Sequence, residues 1–578
     1  EGLTVFRDQC FSADLHGQAL NRIENVALLR NTQFREDAGP TAHAVQPDAY
    51  EAIDNFYTTT IYEKGSELIR MLHTLLGEET YQRGMALYVQ RHDGSAATCE
   101  DFVQAMQDAA AERPLGSGPD FDFGRFRRWY HQAGTPQLHI QRHWDGEAGR
   151  LELLIEQRTP PTPGQPEKQP LVIPLAIGLL DQGGVPLLPR LEGESEEQAA
   201  AATLEPNRWG RATRLLVLEQ ERQRLVLEGL PRRAHPPALS LLRHFSAPVR
   251  LEIGRPVSEL VHLFASDSDA FARWDAGQAL LREAALARAT GEPKRELEEE
   301  LIDAFARILA DPGLSEASRA ALLSLPGLAE LEEGMHPSDP PALFAALLAL
   351  QRRFGEALAA PLDEALERIT PQWPLAWPAG VGDRSLTGTI WAWRVAAGDR
   401  SAIAASVAAV EGSSMTLARA GLRALQCHRL PEREAAMAAF EQRWQEKPVI
   451  LDAWFALEAS APFADGLERV ERLLRHPRFD PMAPNSVRAV LGGLAGNPPV
   501  FHAADGSGYR FLAARIAELD ARNPITASRL VKVFSRWRSY GPERSARMGE
   551  ALEQLAAAPL STNSREVVNQ CLARPAEA

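Results

Sequence analysis

Apolar and polar positions change rhythm along this chain, and each rhythm predicts a different kind of element. In SELIRMLHTLLG, Leu68, Ile69, Leu72, Leu75 and Leu76 fall at the spacing of one helix face, with Gly77 as the stop. In TCED, Thr98 stands three residues ahead of Asp101, the pattern of a capping box before a helix whose buried face is Phe102, Val103 and Met106. The Gly- and Pro-rich AERPLGSGPDFD that follows predicts a surface loop. From Gln137 to about Pro248 the apolar residues alternate or run briefly, as in LHIQRHW, RLELLIEQ, LVIPLAIGLL, TRLLVLEQ and RLVLEGL. Short strands of this kind predict a small β-sandwich. The proline-laden PPTPGQPEKQP (160–170) cannot join a ladder and predicts a connection between strands.

Beyond about Arg250 the pattern is helical to the end. LIDAFARIL places Leu301, Ile302, Phe305, Ile308 and Leu309 on one stripe, and PALFAALLAL, LDAWFALEA and SRLVKVFSRW repeat the theme. Amphipathic helices joined by short Pro/Gly turns predict stacked pairs, a solenoid-like array, although no strict sequence period marks the repeats. The fold class expected is therefore mixed but mainly α, in three parts: residues 1–135, a β-sandwich over 136–249, and a helical superhelix over 250–578.

Bulk properties narrow the function. A chain of 578 residues suggests about three to five domains, and 45% hydrophobic with 24% charged residues is an ordinary globular composition. No apolar run approaches the ~18 residues a membrane helix needs, so no membrane association is expected. The formal charge of −15 argues against a nucleic-acid partner, because phosphate attraction needs a basic face. Cys10, Cys99, Cys427 and Cys571 are scattered without CxxC spacing, which predicts free thiols in a reducing compartment.

Candidate chemistry is sparse. HIQRH sets His139 and His143 four apart, as in a zinc-binding HExxH, but Ile140 stands where the glutamate belongs. The surrounding alternation predicts a strand, on which the two histidines lie about 13 Å apart and cannot share an ion. DGSGYRF (505–511) lacks the third glycine and the preceding strand of a phosphate cradle and predicts a tight turn. Two features remain. Tyr62, in IYEKG ahead of a helix, carries a hydroxyl that could donate to a developing oxyanion, although a packed tyrosine at a helix start is commonplace. Glu1 and Asp8 lie seven apart on one helix face, where carboxylates can serve as a metal ligand and a neighbour of one, or simply face water.

Taken together, EGLTVFRDQ, NFYTTTIYEKG, RHDGSAATCEDFVQAM, FRRWYHQAGTPQ, FSAPV, FHAADGSGY and NPITASRLV, in this order, closely resemble the bacterial aminopeptidase N family of zinc-dependent gluzincins. The resemblance runs over essentially the whole chain. It implies that 1–135 is the rear part of a thermolysin-like catalytic domain, followed by the sandwich and the helical domain. It also implies that Glu1 is the third zinc ligand and that the chain starts there, the two zinc histidines and the catalytic glutamate lying upstream. Neither HExxH nor the amine-holding GAMEN motif occurs among these 578 residues.

Carried over residue by residue, the resemblance makes Tyr62 the tyrosine that stabilises the tetrahedral intermediate. Tyr57 would line the pocket for the substrate's first side chain, and Asp8 would sit beside the zinc-binding helix. Arg488 and Arg529 match arginines facing the catalytic chamber, which would contact the far end of the peptide or its carboxylate. Helix-surface or interdomain ion pairs are the other reading of both. The implied enzyme is a cytoplasmic, monomeric zinc aminopeptidase acting on peptides. The chain alone is expected to be inactive, to expose apolar surface and to aggregate. A non-catalytic helical array that binds partners, with a degenerate peptidase remnant, is the alternative.

Overall fold

A computed structural model describes residues 1–113, 118–369 and 379–573. The chain divides into two compact units, one formed by 1–49 and 57–277, the other by 50–56 with 278–573. Among the described residues no helix is long and apolar enough to cross a membrane.

The first unit begins with α1 (Gly2–His16) and α2 (Gln18–Asp37), followed after a loop by α3 (Gly65–His92) and α4 (Cys99–Ala111). The α3 stripe read from the sequence is buried as expected: Leu68, Leu72 and Leu75 have no exposed surface. Gly77 breaks the helix as a kink rather than an end, with φ +73° and ψ 163°, after which the chain resumes helical geometry to His92. Only glycine adopts that conformation without strain. The Thr98–Asp101 capping box is formed in both directions. The loop expected from AERPLGSGPDFD falls partly at 114–117, outside the described residues.

The strands follow. β1 (Gln137–Asp145) pairs antiparallel with β2 (Arg150–Arg158) along its whole length, from Gln137 opposite Arg158 to Asp145 opposite Arg150. With β5 (Arg190–Leu191), β7 (Arg222–Glu228) and β9 (Arg250–Glu252) they form a sheet of order β5-β7-β2-β1-β9, in which β9 runs parallel to β1. A second sheet joins β3 (Ile173–Leu180), β4 (Pro186–Leu187), β6 (Arg214–Leu218) and β8 (Ala238–Leu241). Every position of β3 is buried, which is why its sequence runs apolar instead of alternating. His139 and His143 both lie on β1, and His139 is satisfied by Glu252 at 2.9 Å. The 160–170 segment contributes one isolated bridge, Thr162 to Gln165, and is otherwise a loop. A single apolar cluster from Phe6 through Trp129 and Ile173 to Val249 joins the helices of this unit to its sheets.

In the second unit each helix packs on helices near it in sequence. Val381–Ala396 lies against Pro340–Ala357 and Met415–Gln426; Ser507–Asp520 lies against Pro524–Val531 and Pro542–Ala556. Neighbour-on-neighbour packing is the arrangement of a helical repeat array, and one apolar cluster runs through it from Trp391 to Cys571. DGSGYRF is the turn expected of it: Gly506 has φ +71°, the Asp505 carboxylate accepts from the Ser507 amide at 2.9 Å, and a helix starts at Ser507.

Candidate active site

Tyr62 sits in a π-helical turn, Thr60–Lys64, continuous with α3. The sequence places this tyrosine before the helix; the helical run in fact starts two residues ahead of it. A π turn inserts an extra residue per turn, re-aims side chains and recurs at functional sites. Both ends of this one are tied down. At its start one Glu36 carboxylate oxygen accepts from the Thr60 amide at 3.0 Å, the Thr60 hydroxyl at 2.8 Å and the Thr59 hydroxyl at 3.0 Å. At its end Lys64 Nζ donates to Asp37 at 2.8 Å and to the Gly134 carbonyl at 2.9 Å, and Thr135 donates to the same Asp37 oxygen at 2.9 Å. The Lys64 and Asp37 side chains are each only 1% exposed.

On this anchored turn Tyr62 is half-buried, and the Tyr57 ring stands 6.5 Å from it. Tyr57 is exposed (46%), unusual for a large aromatic side chain. Immediately before it, residues 50–56 belong with the helical unit, where the Glu566 carboxylate accepts from the Glu51 and Ala52 amides and from Asn55.

Helix α1 packs on the same turn through two glycines. A β-carbon on Gly2 would meet the Gly65 carbonyl carbon at 2.5 Å, so the backbones touch and Glu1 is held beside IYEKG. Glu1 is the exposed N-terminal cap of α1, and its side chain makes no capping bond. Asp8 is exposed on the same helix. Burial first, then the charges of Glu67 and Asp8, push the Glu63 carboxyl above its ordinary range, which places Asp8 close to IYEKG.

Glu1, Asp8, Tyr57 and Tyr62 thus all belong to the first unit. Arg488 and Arg529 belong to the second and are both exposed: Arg488 opens a π-helical turn, and Arg529 lies in the last turn of a helix packed on it. Sequence reasoning missed the Glu36 and Lys64–Asp37 anchors. Lys64 stands between Glu63 and Gly65 in a polar stretch, so nothing local marks it as buried.

A tyrosine hydroxyl aimed from a rigid turn can donate to a developing oxyanion. A catalytic zinc needs three protein ligands plus an open position. Among the described residues no three His, Cys, Asp or Glu side chains converge as a metal site.

The helices carrying this site are matched, over residues 1–117, by the peptidase family M1 domain. The sheets correspond to a domain of unknown function with an Ig-like fold (residues 134–254), and the helical array to its companion domain of ARM repeats (257–573). Glu1, Asp8, Tyr57 and Tyr62 thus lie in a stretch of the M1 peptidase class. Over 99% of its length the chain is 39% identical to aminopeptidase N of Escherichia coli (strain K12), of which it spans 63%. It is likewise 39% identical, over 99% of its length, to aminopeptidase N of Caulobacter vibrioides, again spanning 63%. The crystal structure of Legionella pneumophila aminopeptidase A in complex with aspartic acid superposes with a TM-score of 0.83 at 26% identity, covering 99% of this chain and 62% of that one. The chain is a homologue of bacterial aminopeptidase N over nearly its whole length, belongs through residues 257–573 to the family of that ARM-repeat domain, and spans a little under two thirds of the length of these relatives.

Proposed function

We propose that this chain forms the rear of the catalytic domain, the sandwich and the helical domain of a zinc-dependent aminopeptidase that releases N-terminal residues, alanine among them, from peptides. The observation that carries the reading is Tyr62, presented on a π turn fixed at both ends, with the Tyr57 ring 6.5 Å away and Glu1 beside it. In this reading Tyr62 donates its hydroxyl proton in a hydrogen bond to the oxyanion of the tetrahedral intermediate. Tyr57 lines the pocket for the first side chain, and Glu1 supplies one metal ligand, with Asp8 near the helix that bears the others. Arg488 and Arg529 contact the far end of the peptide. Zinc, when bound, would supply Lewis-acid activation of water and carbonyl; its remaining ligands are not among the described residues. A cytoplasmic monomer is the form we assign, without nucleic-acid or membrane partners.

The test is hydrolysis of an alanyl-arylamide by the purified 578-residue chain, with zinc supplied and bound metal quantified. The expected result is no turnover and no bound zinc. Turnover with one zinc per chain would mean that residues here complete the site, and the reading would be wrong. In a form of the enzyme that does turn over, Tyr62→Phe is expected to lower kcat by about 10²–10³ with unchanged zinc content. Undiminished turnover would remove Tyr62 from the reaction. The ARM-repeat description of residues 257–573 also fits a non-catalytic scaffold. Such a scaffold would stay inactive even when the chain is extended to include an HExxH helix.

A further inference from the structure

A cavity of about 230 Å³ opens between α1, α2, α3 and the short helix Pro206–Trp209, and neither Tyr57 nor Tyr62 lines it. Four arginines do, Arg7, Arg22, Arg70 and Arg208, against two carboxylates, Asp14 and Glu78. Arg22 is fully engaged: it holds Glu67 through two bonds of 2.7 and 2.5 Å and donates to the carbonyls of His244 and Phe245.

Buried Arg70 and half-buried Arg208 are not so engaged. Arg70 donates to Gln9 at 2.5 Å and lies over the Phe6 ring. It stands 3.7 Å from a Glu67 oxygen that Arg22 already holds, and its Nε is buried with no hydrogen-bond partner. Arg208 has no carboxylate within ion-pair distance among the described residues. Its partners are the Trp209 ring and His73 Nδ1, at 3.3 Å.

His73 does not supply the missing negative charge. Its Nδ1 accepts from Arg208, so its proton resides on Nε2, which donates to Glu78 at 2.5 Å. The ring is therefore neutral, and burial with the adjacent Arg208 charge holds its pKa at about 4. The Tyr81 hydroxyl, on a side chain 1% exposed and also lining the cavity, has no hydrogen-bond partner among the described residues. Burial and neighbouring Arg22 lower Arg70 to about 10, so it remains charged at neutral pH.

Buried donors with no acceptor, Arg70 Nε and Tyr81 OH, and a half-buried guanidinium with no carboxylate each cost free energy that a bound anion would recover. We propose that this cavity is a binding site for a small oxyanion, a phosphate or carboxylate group, held by Arg70, Arg208 and Tyr81. Arginine forks match the paired oxygens of such groups, and a phenol hydroxyl adds a third donor. Glu78 is already engaged by His73 and Gln82, so its charge is partly offset at the cavity edge. Asp14 is the one further carboxylate on the lining.

The probe is inorganic phosphate, followed by calorimetric titration and by the melting temperature of the chain at constant ionic strength. Saturable binding of one phosphate per chain and a rising melting temperature are expected. Arg208→Gln is expected to weaken binding by tenfold or more, the loss of a charged hydrogen-bonding partner. Tyr81→Phe removes only an unpartnered hydroxyl, so it should leave the phosphate-free melting temperature unchanged while weakening phosphate binding several-fold. That variant keeps the test decisive if Arg208→Gln fails to fold. Absent binding, or binding that both variants leave intact, would overturn the proposal. The oxyanion could also be a carboxylate side chain carried on a longer form of the protein. If such a form no longer binds phosphate while the 578-residue chain does, the site holds a side chain; if both bind, it takes a free anion.

Discussion

Replacing Lys64 with methionine tests whether the turn bearing Tyr62 depends on its buried anchor. The Lys64 ammonium and the Asp37 carboxylate are each 1% exposed and 2.8 Å apart. Methionine fills much the same volume but leaves the Asp37 charge with only the Thr135 hydroxyl, and the Gly134 carbonyl loses its donor. Breaking a buried pair from one side costs about 3–5 kcal/mol, because the remaining charge is stranded. At about 1.4 kcal/mol per decade this is a rise of roughly 10²–10⁴ in the opening equilibrium of the region. Hydrogen exchange of the amides in α2, the π turn and the start of α3 reads that opening directly. Combining Lys64→Met with Asp37→Asn removes the stranded charge, so the double variant should recover a large part of the loss, with a coupling of about 2 kcal/mol or more. Exchange raised less than about fivefold by Lys64→Met, a change near 1 kcal/mol, would refute the anchor. So would a double variant as unstable as the two single losses added together.

Two other positions give equally direct tests. A β-carbon on Gly355 would sit 2.0 Å from the Trp393 carbonyl oxygen, so Gly355→Ala must prise Pro340–Ala357 off Val381–Ala396 and loosen the Phe305–Phe354–Trp393 cluster. A loss of about 1–3 kcal/mol is expected from overpacking, measured by calorimetry, and an unchanged transition would contradict the close approach. Asp269 is fully buried beside Asp267, and burial first, then that charge, raises its pKa to about 7. Its folded pKa therefore exceeds its unfolded value of about 3.9, the folded state retains a proton that the unfolded state has lost, and this contribution to stability fades as pH rises from about 4 through 7. Asp269→Asn keeps an oxygen for the His244 and Ala272 amides and should flatten that decline relative to wild type. Comparing the two proteins removes the separate effect of buried His244, which both hold neutral. A difference independent of pH would count against the raised pKa.

What could be read from the sequence, and what could not, divides by the distance over which the physics acts. The Thr98–Asp101 box, the Leu68–Leu76 stripe, the conformation of Gly506 and the β1 alternation that disarms His139 and His143 are all set by residues within a few positions of one another. Periodicity and capping rules apply over that range. The π turn does not follow from such rules, because nothing in TIYEK distinguishes one extra residue per turn from an ordinary α-helical start. It is held by groups 23 to 27 positions earlier, Glu36 and Asp37, and by the carbonyl of Gly134, 70 positions later. The cationic cavity is still less local. Arg208 meets His73 across 135 positions, and Arg22 reaches His244 across 222. In a linear reading each of these arginines is one more basic residue in an acidic chain. Only the fold gathers them behind a neutral imidazole with too few carboxylates. Tyr62 lies between these cases: its neighbours in sequence identify it as chemistry through resemblance, but its rigidity comes from Glu36 and Lys64–Asp37. The same separation predicts where substitutions will mislead. Changes at Glu36, Asp37 or Thr135, which look like surface polar exchanges in the sequence, should disturb the geometry of Tyr62 as much as changes beside it, since they act on the ends of the turn that carries it.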